Sequence, residues 1–111
     1  AYYNKATRVR DLMRAEFSDT FKKVDLLISP TSPTPAFKIG AKVDDPLAMY
    51  LSDVYTAPAN LAGIPAITVP FGQIPDGRPV GVQFIAPQFA ELSLFQIANC
   101  LYKDVKKVAK S

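Results

Sequence analysis

Asp53 is the one carboxylate in the apolar stretch from Pro46 to Ala59, inside DDPLAMYLSDVYTAPANLAGIPAITVP (44–70). Two chemistries suit it. Near a helix end a carboxylate caps backbone N–H groups or stays solvated. Facing a cleft, it pairs with a ligand's cationic group through a charge-assisted hydrogen bond. Residue pattern alone does not separate the two. The hydroxyls of Ser29, Thr31, Ser32 and Thr34 have no neighbouring base to activate them. Asp44 and Asp45 are adjacent and precede Pro46, so helix capping accounts for them better than metal binding or acid–base work. A single cysteine, Cys100, excludes an internal disulfide framework and a cysteine metal cluster. It falls near the apolar stripe of the last helix and is expected to be a small core residue. There is no histidine, which excludes a Ser-His-Asp triad, a Cys-His pair and histidine metal ligation within this chain. No glycine-rich phosphate loop is present. Taken alone, the chain holds no complete catalytic constellation.

The elements that must position these residues follow from pattern. All 10 prolines lie between Pro30 and Pro87, and the proline-free flanks read as amphipathic helices. In the first, Val9, Met13, Phe17 and Phe21 recur every four residues, with Ala6, Leu12 and Val24 widening the stripe and arginines and lysines opposite. In the last, Leu94, Ile97, Ala98, Leu101, Val105 and Val108 form a similar stripe, which predicts a helix over 91–108. Lys103, Lys106, Lys107 and Lys110 solvate its end and complement its dipole. VDLLIS (24–29) is a nearly continuous apolar run that suits a strand buried on both faces. AITVPF (66–71) and VGVQFIA (80–86) flank a Pro75-Asp76-Gly77 turn signal and read as a β-hairpin. Asp45–Pro46 opens a middle helix that presents Leu47, Tyr50, Leu51 and Val54 on one side. Pro58 forces a break or a fresh start near Thr56, and Gly63 with Pro65 closes a second short helix. SPTSPTPAF (29–37) is a stiff extended connector, with a peptide ligand as the competing view. The order helix, strand, helix, hairpin, helix predicts an α/β fold with a mixed sheet.

At 111 residues and 49% hydrophobic, the chain has the length and composition of one modest domain with a core. A net charge of +3 says little about partners. No apolar run approaches the roughly 20 residues of a membrane span, and the N-terminus has no signal-peptide pattern.

Five stretches, in order, carry a resemblance: YYNKATRVRDLM (2–13), VDLLISPTSPTPAF (24–37), DDPLAMYLSD (44–53), NLAGIPAITVP (60–70) and GRPVGVQFIAP (77–87). Together they resemble the C-terminal part of the amidase signature family, and DDPLAMYLSD resembles in particular its tRNA-dependent amidotransferase A subunits. The resemblance implies a layered α/β/α fold around a mixed sheet, with helices flanking a hairpin. It implies a glutaminase that frees ammonia for transamidation of Glu-tRNA(Gln) to Gln-tRNA(Gln), with subunits B and C as partners. ATP and Mg would act only in the partner subunit, and the location would be bacterial cytoplasm or an organelle. It also implies that Asp53, matching the Asp of the family's MY..D segment, holds the α-amino group of glutamine. Family catalysis uses a Ser–cis-Ser–Lys triad in a Gly/Ser-rich segment without counterpart here, and the arginine that grips the substrate carboxylate is likewise not matched. The expectation is therefore one partial domain over 1–111, a C-terminal fragment of an amidase signature domain, inactive alone, whose open edges and apolar faces favour self-association. A different amidase signature hydrolase and a non-catalytic interaction module are the alternatives. Purified chain incubated with glutamine is expected to release no ammonia above the uncatalysed rate; robust turnover would show that a nucleophile is present.

Overall fold

The computed structural model describes residues 2–40 and 46–110, and of Ala48 and residues 107–110 the backbone only. The capping expected of Asp44 and Asp45, and the side chains of Lys107, Val108 and Lys110, lie outside the described residues. The element order is α1 (Tyr2–Phe21), β1 (Leu27–Pro30), α2 (Pro46–Ser52), α3 (Ala57–Ala62), β2 (Ala66–Gln73), β3 (Pro79–Ile85) and α4 (Glu91–Lys110).

The strands form one sheet in the order β1-β3-β2. Both pairings are antiparallel, with Ile67 opposite Phe84 and Val69 opposite Val82, and with Ile28 opposite Phe84. The α/β class with helices flanking a hairpin is as expected; within this chain the sheet itself is antiparallel throughout its three strands. The hairpin turn works as its residues predict. Gly77 takes φ 92° and donates to the Ile74 carbonyl at 2.9 Å, a conformation that costs glycine nothing. Arg78 then fastens the turn, donating from Nε to Asp76 at 2.8 Å and from a terminal nitrogen to the Ala36 carbonyl at 2.8 Å. The Pro-rich stretch is thus tied to the hairpin as a connector. Prolines sit where a missing N–H is tolerated: Pro30 and Pro70 on edge strands, and Pro79 at the start of β3. The ladder shifts by one residue between Pro70 and Gly72.

The core lies between one sheet face and α4. Val69, Phe84, Ala86, Leu94 and Ala98 are buried there, with Ile67, Val82, Ile97 and Leu101 packed around them. The stripe read on the last helix is the stripe that packs. Cys100 is a correction: it is exposed, because each residue turns the helix by about 100° and carries it away from the line of Ala98 and Leu101. VDLLIS is a second correction. Its strand covers only Leu27–Pro30, alternates half-buried and exposed, and leaves Ile28 66% exposed, because α4 packs over β2 and β3 and leaves the edge strand β1 uncovered.

α1 packs against α3 through a narrower stripe than its periodicity suggests. Met13, Phe17 and Phe21 are half-buried, the two rings stacked at 6.3 Å, while Val9 and Leu12 are exposed. The expected apolar side of α2 is open as well: Leu47, Tyr50, Leu51 and Val54 are all exposed. These faces have a measurable sum. The chain exposes 8487 Å², against roughly 6,000 Å² for a compact monomer of its mass. Its radius of gyration is 16.4 Å, where a compact chain of this length would have about 13 Å. Among the described residues no helix is long and apolar enough to cross a membrane.

The contrast between the two sides of α4 is testable. Leu94→Ala should destabilise the chain by about 2–4 kcal/mol, and Phe95→Ala, on the exposed side, by less than about 0.5 kcal/mol. Urea unfolding followed by circular dichroism measures both; equal losses would place the core elsewhere.

Candidate functional site

The α2–α3 turn is built almost entirely from its own backbone. α2 ends as the Asp53 and Val54 amides donate to the carbonyls of Tyr50 and Leu51, at 3.1 and 3.3 Å. The Asp53 carbonyl then accepts from the amides of Thr56 and Ala57 at 3.1 and 3.0 Å, and from the Thr56 hydroxyl at 3.3 Å. Thr56 is the N-cap residue of α3 and Pro58 stands in its first turn, where the missing N–H is no loss. The fresh helical start expected near Thr56 is therefore present. Asn60 donates from its side chain to the Thr56 carbonyl at 3.0 Å, binding the new helix to the turn it leaves.

The far end of α3 closes as predicted. Gly63 adopts the left-handed conformation at φ 71°, donating to the Ala59 carbonyl at 3.0 Å, and Ile64 donates to the same oxygen at 3.2 Å. Arg14 of α1 donates from Nε to the Ala62 carbonyl at 3.0 Å, satisfying an oxygen that the helix leaves open. Nothing in the residue pattern marked Arg14 for this task, because the partner is 48 positions away.

Asp53 itself is exposed, and its carboxylate makes no hydrogen bond or ion pair among the described residues. It is therefore no cap: only its backbone works for the turn. The structure brings beside this turn a residue that sequence reasoning passed over. Gln83, in the centre of β3, is 3% exposed and is the only buried polar side chain among the described residues. Its Nε2 donates to the Tyr55 carbonyl at 2.8 Å and to the Ser29 hydroxyl at 3.1 Å, joining the turn, β3 and β1. Alternation puts it on the sheet face opposite Phe84 and α4.

Two of the candidate hydroxyls, Ser29 and Thr31, are committed to structure. Ser29 accepts from Gln83 and donates to the Pro30 carbonyl at 3.1 Å, and Thr31 donates to the Thr68 hydroxyl at 3.3 Å. No group of three or more potential metal ligands is found among the described residues. An open apolar groove of about 980 Å³ lies between the Pro-rich connector and the hairpin, lined by Ile28, Pro33, Phe37, Phe71 and Ile74 among others, and Asp53 is not part of it. A smaller one of about 510 Å³ lies beside Arg14, Phe17 and Ile64.

The family model described as Amidase matches residues 1–95. The chain belongs to the amidase family. Among its relatives, the A subunit of glutamyl-tRNA(Gln) amidotransferase from Prochlorococcus marinus (strain MIT 9313) is 58% identical over 98 residues, 88% of this chain and 20% of that protein. The crystal structure of the corresponding A subunit from Thermotoga maritima superposes with a TM-score of 0.82 at 50% identity, covering 88% of this chain and 21% of that one. A 6-aminohexanoate cyclic dimer hydrolase, solved with its substrate, superposes at 0.70 with 27% identity, covering 92% and 23%. The chain thus spans about a fifth of the length of the curated relatives it matches.

Gly63→Ala should cost about 1–2 kcal/mol, since a Cβ is strained in the left-handed cap. Chemical denaturation reads this directly; a neutral result would mean that α3 ends otherwise in solution.

Proposed function

We propose that this segment belongs to a glutamine amidase of the kind found as the A subunit of glutamyl-tRNA(Gln) amidotransferase, and that it presents, through Asp53, the carboxylate that binds the substrate's α-ammonium group. One observation carries the assignment: the Asp53 carboxylate has no partner among the described residues, while its backbone is fixed by three hydrogen bonds to the carbonyl. A carboxylate on a fixed stretch of backbone and left unpaired is open to the opposite charge, and an ammonium ligand leaving water needs one. The relatives at 50–58% identity are named as that amidotransferase component, whereas the hydrolase of a different amide stands at 27%. That gap favours glutamine over another amide.

The rest of the reading follows from the same kinship. Ammonia released from glutamine passes to a partner subunit for transamidation of Glu-tRNA(Gln), subunits B and C complete the assembly, and ATP and Mg serve the partner. The nucleophile and the group that grips the substrate carboxylate belong to other parts of the amidase domain. This chain's share is recognition of one end of the substrate.

In the full-length enzyme containing this segment, Asp53→Ala should raise the KM for glutamine ten-fold or more. A hydrogen bond between charged groups contributes about 1.5–3 kcal/mol. Because the side chain is exposed and unpartnered, thermal stability should stay within about 0.5 kcal/mol of the parent. Steady-state ammonia release checks the first and a thermal melt the second; an unchanged KM would remove Asp53 from the substrate site.

A further inference from the structure

Gln83 has no role in the function proposed above, yet it is the one polar side chain that the fold buries among the described residues. We propose that Gln83 is a positioning residue for the substrate's ammonium site: by holding the Tyr55 carbonyl to the sheet, it fixes the direction of the Asp53 carboxylate. The inference rests on the assignment of Asp53 to that site.

The turn from Asp53 to Ala57 is one hydrogen-bonded unit, closed by the Thr56 and Ala57 amides on the Asp53 carbonyl. Whatever fixes Tyr55 therefore fixes Asp53. Packing of α2 does little of this, since Leu47 and Tyr50 are 65% and 73% exposed. On the downstream side the turn is held at the end of α3, through Gly63 and Arg14. The Gln83 amide supplies the direct tie from the turn to the sheet, at 2.8 Å, and Ser29 occupies its second donor at 3.1 Å. The amide thereby cannot rotate without breaking one bond to reach elsewhere. An apolar residue of the same volume, such as methionine, would keep the bulk of the side chain. It would leave the Tyr55 carbonyl without that donor and the turn free to shift, and a shift of about 1 Å is enough to spoil a charge-assisted contact.

Glutamine and glutaramate, the same amide without the α-ammonium, separate positioning from mere structure. In the full-length enzyme Gln83→Met should raise the KM for glutamine about five-fold or more, leave the KM for glutaramate within about two-fold, and change kcat little. Gln83→Asn retains an amide but draws its nitrogen back by one methylene, and it should show the same selectivity at smaller amplitude. It carries the test should the methionine variant not fold. Equal rises in KM for both amides would make Gln83 a purely structural residue and overturn the proposal, as would no change in either. Asp53→Asn, measured alongside, keeps the two claims apart. If it penalises glutamine alone while Gln83→Met penalises both amides, the ammonium site stands and the positioning role falls. If Asp53→Asn penalises neither amide, the site assignment falls and the positioning role with it.

Discussion

A buried amide has to find partners, because a polar group left without one in a dry interior costs on the order of 1–3 kcal/mol. Gln83 meets that constraint by bonding two segments that are far from it in sequence, Ser29 of β1 and Tyr55 of the α2–α3 turn. Much else in the segment is arranged about that point. β3 is the central strand, so a residue in its middle is fixed by ladder bonds on both sides. β1 is an edge strand held on one side only, and the amide adds a side-chain tie to it. The turn carries no buried apolar anchor of its own, and the same amide connects it to the most rigid element available.

The two faces of the sheet are consequently stabilised by different physics. One face is apolar: Val69 and Phe84 pack against Leu94 and Ala98, and area removed from water holds α4 in place. The other is polar at its centre, with Ser29, Thr31, Thr68 and Gln83 linked by directional bonds. Apolar packing tolerates small slips, whereas hydrogen bonds specify position. It is therefore consistent that the turn bearing Asp53 lies on the polar face. The exposed sides of α1 and α2 add apolar surface that nothing among the described residues covers, in keeping with a segment matching about a fifth of its relatives' length.

How much of this could be read from sequence depended on whether the signal was local. The hairpin was legible because Pro75-Asp76-Gly77 contains its own mechanism, and α4 because four of its stripe residues, Leu94, Ile97, Ala98 and Leu101, meet a real partner. The helix break at Thr56 and the Gly63 cap were legible from proline and glycine chemistry for the same reason. VDLLIS misled because a continuous apolar run records hydrophobicity and not what covers the strand, and α4 lies over β2 and β3 but not over β1. Cys100 misled because adjacency to a stripe is not membership of it when each residue turns the helix by about 100°. Gln83 escaped because nothing local in VGVQFIA shows what lies over its one polar residue. Only the arrival of Tyr55, 28 residues distant, makes that position interior. The place of Asp53 was visible in the pattern; that its side chain caps nothing was not.

That last point bears on why an exposed carboxylate can matter at all. A solvated ion pair at a surface is worth about 0–1 kcal/mol, too little to hold a small substrate. The attraction grows several-fold where water is excluded and the charge need not reorganise. This segment supplies the second condition: a turn closed on itself and tied to the sheet, with a carboxylate that no lysine or arginine of the described residues neutralises. The first condition requires other walls around Asp53, and the uncovered apolar side of α2 immediately before it is the surface on which such walls would pack. On the proposed reading of Asp53, recognition would be shared between two parts, one fixing the turn that bears the charge and one drying it.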